Sequence, residues 1–420
     1  MARIGEWLRG LLPASVQRLP YAQPSAPQPR SPVLTPYAEG NNAFGIALYE
    51  TLAKKPGNLF LSPFSIRTAL AMTYAGAKDT TAAEMAAVLH FPPSDEELHA
   101  SFARIIALLN AAGGGMYEMA VANSLWAQEG SAMLAAYGEL AARYYGGALY
   151  GVDFERAFEE ARARINQWVE EKTRERIRDL IPVGGVSTLT RLVLVNAVYF
   201  KGKWSEPFLE ELTRDEPFYL EGGGKVRASL MLQHDRIRYM EGRYYQAVDL
   251  PYQGDDLSMV ILLPGKRNGL RRLERMLSSE LIEDALARME SCPVKLFLPR
   301  FKVVWGTEEI SDVLKALGMP APFTGGVADF SGINGFAPPD DRSLYVTAVF
   351  HKAFVETNEL GTEAAAATAV VDTVRSMPFR PRPQPIPVFR ADHPFLFAIR
   401  ERSSHAVLFL GRVADPTRES

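Results

Sequence analysis

The sequence predicts an α+β fold, because helical periodicity dominates the first half of the chain and strand-like runs dominate the second. In the first half, apolar residues recur at intervals of three and four, which is the spacing of one helix face. In the second half, short runs of β-branched and aromatic residues are bounded by turn residues, as is typical of strands. Helices that precede strands, rather than alternating with them, argue against a repeated βαβ unit.

The helices come first in chain order. The first is marked by Phe44, Leu48 and Leu52, and a longer one begins near Ala157 and continues through Thr173. Two further sets of apolar residues at helical spacing lie between them: Ile66, Leu70, Met72 and Ala75, then Ile105 and Leu108. Five predicted strands follow, at residues 192–199, 257–263, 294–298, 345–355 and 407–413.

Residues 1–37 are predicted to form a Pro-rich, flexible N-terminal extension. Prolines restrict the backbone and exclude regular structure there. Upstream of them, apolar residues from Ile4 to Leu12 follow helical spacing, but Arg9 interrupts the continuous apolar region of a signal peptide. A cleaved signal peptide remains the alternative interpretation. The prolines are Pro13, Pro20, Pro24, Pro27, Pro29, Pro32 and Pro36.

The composition excludes several partner classes. The chain is 47% hydrophobic and 23% charged, which is typical of a globular protein with a sizeable core. Its net charge of −3 provides no basic field for nucleic acid and no cationic surface for membranes. No apolar run approaches 18 residues, so no transmembrane helix is expected. We therefore expect neither nucleic acid nor membrane as a partner.

Cys292 is the single cysteine, so the chain cannot form an internal disulfide. It lies between a predicted helix and the strand at 294–298, where a half-buried, inert thiol is expected rather than a catalytic one. The six histidines do not pair with it or with one another at metal-ligand spacing. They are His90, His99, His234, His351, His393 and His405. No metal site is predicted.

The sequence also contains no recognisable catalytic motif. It has no GxSxG elbow, no HExxH pair and no phosphate-binding loop ending in Lys-Ser or Lys-Thr. The glycine triplets at 113–115 and 222–224 lack the rest of a phosphate fingerprint and indicate turns. We therefore expect neither an enzyme nor a cofactor.

An unusual segment of small residues lies near the C-terminus, from Glu359 to Ser376. At strand periodicity, one of its faces carries only small, uncharged side chains, so the segment could enter a sheet above a packed core. The alternative is a capped helix, since alanine is the best helix former and Thr362 followed by Glu363 suits a helix start. The face with only small, uncharged side chains comprises Thr362, Ala364, Ala366 and Thr368, and these alternate with Glu363, Ala365 and Ala367.

Several separated motifs together resemble the inhibitory serpins. Glu359, Gly361 and the alanine run, preceded by His351-Lys352-Ala353-Phe354, are similar to the family's hinge. Four other blocks agree in order and spacing, and the resemblance covers roughly residues 38 to 417. The blocks are Asn58-Leu59-Phe60-Leu61-Ser62-Pro63-Phe64-Ser65-Ile66, Leu194-Val195-Asn196-Ala197-Val198-Tyr199-Phe200-Lys201-Gly202-Lys203-Trp204, Phe389-Arg390-Ala391-Asp392-His393-Pro394-Phe395-Leu396-Phe397 and Val407-Leu408-Phe409-Leu410-Gly411-Arg412-Val413.

This resemblance implies one domain at 38–417, although length alone suggests two or three. It implies a large, mostly antiparallel central sheet, additional sheets, eight or nine helices, and an exposed reactive-centre loop at about 359–388. It implies a monomeric, metastable suicide-substrate inhibitor of serine proteases that traps the acyl-enzyme by inserting its loop into the central sheet. The alternative is a non-inhibitory serpin that acts as carrier, chaperone or storage protein. An extracellular location is favoured, with the cytoplasm as the alternative.

The resemblance also implies where the target protease would cut. Family geometry places the scissile bond fourteen residues after the hinge glycine Gly361, between Arg375 and Ser376. An exposed arginine suits a protease with a carboxylate in its specificity pocket, as in trypsin. A register shift of one would present Val374 to an elastase-like pocket. The weaker candidates, Arg380 and Arg382, are each followed by a proline that hinders cleavage.

Two polar groups are assigned by the same resemblance. Ser62, Ser65, Asn196 and His351 match the family's shutter cluster under the central sheet. The breach group at the top of that sheet comprises Trp204, Arg300 and Glu359, with the last two expected to pair. Ordinary satisfaction of buried polar groups is the plainer interpretation of the first cluster.

Two further features differ from the family pattern. Asp372 falls on the inward-facing side of the loop, where burial is costly. The Pro-rich connector at 378–387 is long and is predicted to be exposed and polyproline-like.

Residues 95–110 hold only Arg104 as a strong base, so no glycosaminoglycan cofactor is expected.

Overall fold

A computed structural model of the protein describes residues 35–112, 117–131, 133–146, 148–362 and 385–419. Within these ranges the chain forms two large sheets and ten α-helices, which confirms the α+β prediction. The helices are α1 Thr35–Leu52, α2 Pro63–Tyr74, α3 Asp79–Val88, α4 Asp95–Ala112, α5 Ala135–Tyr145, α6 Phe154–Lys172, α7 Leu270–Met276, α8 Ser279–Arg288, α9 Ser311–Ala316 and α10 Ser331–Asn334.

All five predicted strands are present, most of them longer than predicted, together with others that sequence patterns did not reveal. The strands are β1 Leu59–Leu61, β2 Tyr117–Gln128, β3 Ala148–Val152, β4 Leu192–Lys203, β5 Arg214–Tyr219, β6 Lys225–Glu241, β7 Tyr245–Pro251, β8 Leu257–Pro264, β9 Glu290–Pro299, β10 Phe301–Glu309, β11 Val346–Asn358, β12 Gly361–Thr362, β13 Val388–Arg390, β14 Phe395–Glu401 and β15 Val407–Val413.

The six-stranded sheet, called the central sheet below, has the order β10-β11-β12-β4-β2-β3. Most of its pairings are antiparallel, but β2 pairs with β3 in parallel, and so does β11 with β4. The short strand β12 lies between β11 and β4 at one end only. Elsewhere these two long strands are direct neighbours, so the central sheet is mixed rather than purely antiparallel.

The second sheet has nine strands and encloses most of the core against the central sheet. Its main order is β1-β15-β14-β8-β7-β6-β9-β13, with β5 paired to β6. The edge strand β13 pairs in parallel with β9 over three positions only. Because β13 directly follows the segment at 363–384, this sheet anchors the C-terminal end of the predicted reactive-centre loop.

Helix α2 lies between the two sheets, and residues 63–73 are all buried. Ser62 caps its N-terminus by accepting a hydrogen bond from the Ser65 backbone N–H, and Pro63 occupies the first helical position, where a missing N–H costs nothing. On the opposite face of the central sheet, α6 packs through Ile165 and Val169 against the side chains of β2 and β4. The central sheet is therefore covered on both faces.

Two local details differ from the sequence interpretation. Tyr37, assigned to the N-terminal extension, lies in α1, and its ring packs edge-on against Phe102 at 5.1 Å. Cys292 lies within β9 rather than before it and is half-buried. None of the helices in the described ranges is both long enough and apolar enough to cross a bilayer.

Candidate functional site

The opening between β11 and β4 is where the loop segment begins. Gly361 and Thr362 pair with Lys203 and Gly202 of β4 on one side and with the end of β11 on the other. Below that point β11 and β4 pair directly over eight register positions, from Phe354 opposite Tyr199 onward. This direct pairing is called the seam. A strand that continued from β12 would have to separate it.

Gly361 is required at this position by close packing. Its φ is +149°, and an added Cβ would lie 2.6 Å from the Cα of Lys203 and closer still to the carbonyl oxygen of Gly202. No other residue type fits so near a neighbouring backbone. The glycine therefore lets the chain turn from β11 into the sheet.

An aromatic pair holds the turn that precedes β12. The backbone N–H and the indole N–H of Trp204 donate to the carbonyl oxygens of Leu360 and Asn358, both at 3.0 Å. The ring of Tyr252 stacks on Trp204 with centroids 4.7 Å apart, and its hydroxyl lies 2.8 Å from the buried hydroxyl of Thr362. The first residues of the hinge are thus fixed at their side chains as well as their backbones.

Glu359 lies beside this turn and is paired. Its carboxylate accepts hydrogen bonds from Arg300 Nε at 2.8 and 2.9 Å and from Nη2 at 2.7 Å, and one from the Thr213 hydroxyl. Burial by itself raises the pKa of Glu359, but the bonds from Arg300 and Thr213 outweigh it and hold that pKa below its usual value. The carboxylate therefore remains ionised. The breach residues Trp204, Arg300 and Glu359 lie in one region.

The residues assigned to the shutter cluster, called the polar cluster below, lie across the seam. His351 of β11 and Asn196 of β4 are register partners, and the His351 Nδ1 hydrogen-bonds to Asn196 Oδ1. Asn123 of β2 is in turn opposite Asn196, which donates to the Asn123 side-chain oxygen. Hydrogen bonds between side chains therefore join three strands in sequence, β11 to β4 to β2. The first of these bonds crosses the seam, where β11 and β4 would separate.

The N-terminus of α2 supports this cluster from below. The Ser62 backbone N–H donates to His351 Nε2 at 3.3 Å, and the Ser62 hydroxyl donates to the Leu408 carbonyl at 2.7 Å. Ser65 accepts from Asn196 Nδ2. Because Nε2 accepts a bond, the proton of His351 is on Nδ1 and the ring is neutral. Burial lowers the pKa of His351 to about 3.

Three residues of this region were not found from the sequence: Asn123, Thr213 and Tyr252. Asn123 interrupts the apolar side of β2, so a polar residue within a buried strand was the available signal, but β2 itself was not predicted. Thr213 and Tyr252 lie in connections whose patterns contain no such signal.

Several assigned residues lie outside the described residues. These are the hinge residues Glu363, Ala364, Ala365, Ala366, Ala367 and Thr368, the bond between Arg375 and Ser376, the inward-facing Asp372, and the first part of the Pro-rich connector. Their roles remain predictions. Within the described ranges, no three side chains of His, Cys, Asp or Glu form a group that could hold a metal ion.

Comparison with known proteins identifies the family. The sequence model of the serpin (serine protease inhibitor) family matches residues 39–416. The chain belongs to the serpin family. Leukocyte elastase inhibitor of Homo sapiens is 38% identical to this serpin over 389 residues, which are 90% of this chain and 99% of that protein. An uncharacterized serpin-like protein of Thermococcus kodakarensis is 40% identical over 381 residues, which are 91% of this chain and 86% of that protein.

Solved structures agree with this result. Human thyroxine-binding globulin complexed with thyroxine matches this serpin with a TM-score of 0.82 at 27% identity, covering 92% of this chain and 100% of that chain. The predicted serpin fold is therefore confirmed. The relatives of this serpin thus include proteins named as elastase inhibitors and a structure named for the thyroxine it binds.

Proposed function

We propose that this serpin is a suicide-substrate inhibitor of trypsin-like serine endopeptidases, with Arg375-Ser376 as its reactive bond. The observation that carries the proposal is the position of β12, whose two residues already lie between β11 and β4 above the closed seam. Strand entry has a start point, a direction and a path. A strand continuing from Thr362 would be antiparallel to both neighbours.

The energetics of insertion support this mechanism. Residues 363–374 would extend β12 by about 40 Å at about 3.3 Å per residue. They would replace the parallel pairing of β11 and β4 by two antiparallel ladders, which are slightly more stable per residue. About a dozen net new hydrogen bonds at about 0.5–1.5 kcal/mol each amount to on the order of 10 kcal/mol. A typical protease is stable by about 5–15 kcal/mol, so distorting a captured one is feasible.

The polar cluster supplies a barrier that keeps the seam closed before cleavage. An inserting strand breaks the bond between His351 and Asn196, which are both fully buried. Buried polar groups that lose a partner cost about 1–3 kcal/mol each until new partners form. The cluster therefore opposes spontaneous entry and is compatible with entry once the loop is cut.

Arg375 is the proposed specificity residue because it lies in register with Gly361. Its guanidinium would pair with the carboxylate in the pocket of a trypsin-like protease. Val374, which would direct the loop to an elastase-like enzyme, is the alternative within the same mechanism. The named inhibitory relative, leukocyte elastase inhibitor, favours testing both protease classes.

A non-inhibitory carrier is the second candidate, favoured by the likeness to thyroxine-binding globulin. The small residues of the hinge discriminate between the two functions. An inserted strand turns one face toward the packed core, so the side chains on that face must be small and uncharged. The sequence at 362–369 contains only threonine, alanine and one glutamate. We therefore favour the inhibitor.

The proposal is tested by incubation with trypsin followed by denaturing electrophoresis. We expect a covalent complex larger than either protein, and simple cleavage without a complex would refute the inhibitor function. Arg375→Ala should abolish the complex with trypsin. The matched control is Arg380→Ala, which should leave it intact. Elastase in parallel distinguishes the Val374 register.

A further inference from the structure

A cavity of about 510 Å³ lies far along the second sheet, outside the site described above. Its walls come from the end of β6, the last residue of α8, the start of β9 and residues 385–387, which lead into β13. The volume is in the range of small-molecule sites. Since three segments of the fold and the end of the reactive-centre loop meet there, a bound molecule would touch all of them.

One wall of the cavity is apolar and rigid. It is formed by Pro293, Pro385, Ile386 and Pro387, and Ile386 is 47% exposed. Proline rings present flat apolar faces and carry no backbone N–H, so this wall offers no backbone donors at its prolines. Such surfaces pack well against aromatic rings. The wall therefore suits a flat apolar body.

The polar wall carries an excess of negative charge. Glu241 and Glu290 both line it, and neither has an ion pair within the described part of the chain. Arg288, the one cation among the described residues of the lining, is paired with Asp284 at 3.1 Å. Tyr239 donates to Glu241 at 3.2 Å, and burial together with the nearby carboxylate raises the pKa of its hydroxyl, so that it stays a neutral donor.

Within the described part of the chain, the other charges close to the cavity do not reverse this balance. The guanidinium of Arg236 donates to the backbone oxygen of Ser291 at 2.7 Å and is not part of the lining. Cys292 is also a lining residue, and burial raises the pKa of its thiol, so it adds no thiolate charge at neutral pH. The lining thus combines two carboxylates with an apolar surface.

We propose that this cavity binds an organic cation with a flat aromatic body, such as an aromatic amidine or guanidine. Its charged groups would pair with Glu241 and Glu290, because amidinium and guanidinium groups form bidentate hydrogen bonds with carboxylates. Its rings would pack on the prolines. The site is independent of the protease specificity proposed above.

The bound cation would also fasten the end of the reactive-centre loop. The strand β13 is held to β9 by three register pairs and flanking bonds, such as that from the Lys295 N–H to the Pro387 carbonyl at 2.9 Å. A ligand in contact with 385–387 and with β6 adds a second attachment. Release of β13 from the sheet edge would therefore slow when the cavity is occupied.

The probe for this site is 4′,6-diamidino-2-phenylindole, an aromatic diamidine whose fluorescence rises on burial. We expect a saturable fluorescence increase and, because Cys292 is the single cysteine, at least a fivefold slower reaction of the intact protein with a maleimide. Unchanged labelling at saturating probe would overturn the site. The anionic dye 8-anilinonaphthalene-1-sulfonate should not protect Cys292, and protection by it would overturn the preference for cations.

Two double variants test the carboxylates. Glu241→Gln with Glu290→Gln should weaken binding of the diamidine at least tenfold. Glu50→Gln with Glu139→Gln removes the same charge from exposed positions on α1 and α5 and should change it less than twofold. Equal binding by the two variants would refute the assignment. Amide exchange at 388–390 should slow with bound probe, and unchanged exchange would refute the fastening of β13.

Discussion

Acidification should destabilise this serpin through His351. The ring is fully buried and neutral, and burial lowers its pKa from the ordinary 6.5 to about 3. The unfolded chain binds a proton below 6.5, whereas the folded one does not until about 3, so stability is complete above 6.5 and falls as pH decreases through this window. At pH 4.5 the loss from this residue alone is about 2–3 kcal/mol.

The local geometry explains why the folded state resists protonation. A proton on His351 Nε2 would face the Ser62 backbone N–H, which now donates to that atom. Two hydrogen-bond donors would then point at each other, and because both residues are fully buried, water could not accept from either of them. The bond across the seam to Asn196 would remain, so the cost arises on the α2 side of the cluster.

The assay is urea unfolding at pH 7 and pH 4.5. Other groups titrate in this window, so the comparison is with His351→Gln, whose amide can donate and accept as the neutral ring does but does not titrate. Lowering the pH from 7 to 4.5 should reduce the urea midpoint of unfolding in both proteins. The reduction in the wild type should exceed that in the variant by roughly 0.5–1 M urea. His234→Gln, at an exposed position on β6, is the control and should behave as wild type. Equal shifts in wild type and His351→Gln would refute the reasoning.

Three further substitutions probe the entry site. Thr362→Arg puts a charge at a fully buried position, so trypsin should cleave the loop without forming a covalent complex, and a complex on a denaturing gel would contradict the register. Gly361→Ala crowds the Gly202 carbonyl, and we expect the thermal midpoint to fall by the equivalent of about 1–3 kcal/mol, a result that an unchanged midpoint would contradict. Arg300→Ala leaves the Glu359 carboxylate without its main donors and should cost about 3 kcal/mol in unfolding free energy. The double variant with Glu359→Gln should recover part of this loss, and strict additivity in denaturant unfolding would argue against their coupling.

Local sequence patterns located most of the secondary structure but not all of it. The run at 192–199 was predicted as a strand and forms most of β4. A strand that is buried on both faces is apolar at nearly every position, and such a run is visible in the sequence. The strand β2 was missed because its alanine, asparagine and glutamate residues have low strand propensity. It is a strand because it lies between β4 and β3. Its neighbours, not its own residues, determine its conformation.

The candidate site shows the same division. Ser62, Ser65, Asn196 and His351 were chosen by resemblance, and in the structure they lie within one hydrogen-bonded cluster. Asn123 was not added from the sequence, because β2 was not predicted and because Asn123 joins that cluster only through the register that places it opposite Asn196. Register depends on the whole sheet, since a shift by one residue turns every side chain to the other face.

The sequence alone determined the α+β class, the serpin resemblance, the small side chains of the hinge and the absence of any recognisable catalytic motif. These properties depend on local spacing and residue size, which can be read without coordinates. Only the tertiary structure decided that β12 already lies between β11 and β4, that His351 meets Asn196 across the seam, and that Tyr252 and Thr213 hold Thr362 and Glu359. Those contacts join strands and loops that are distant in sequence, and they exist because packing of the complete sheets brings them together.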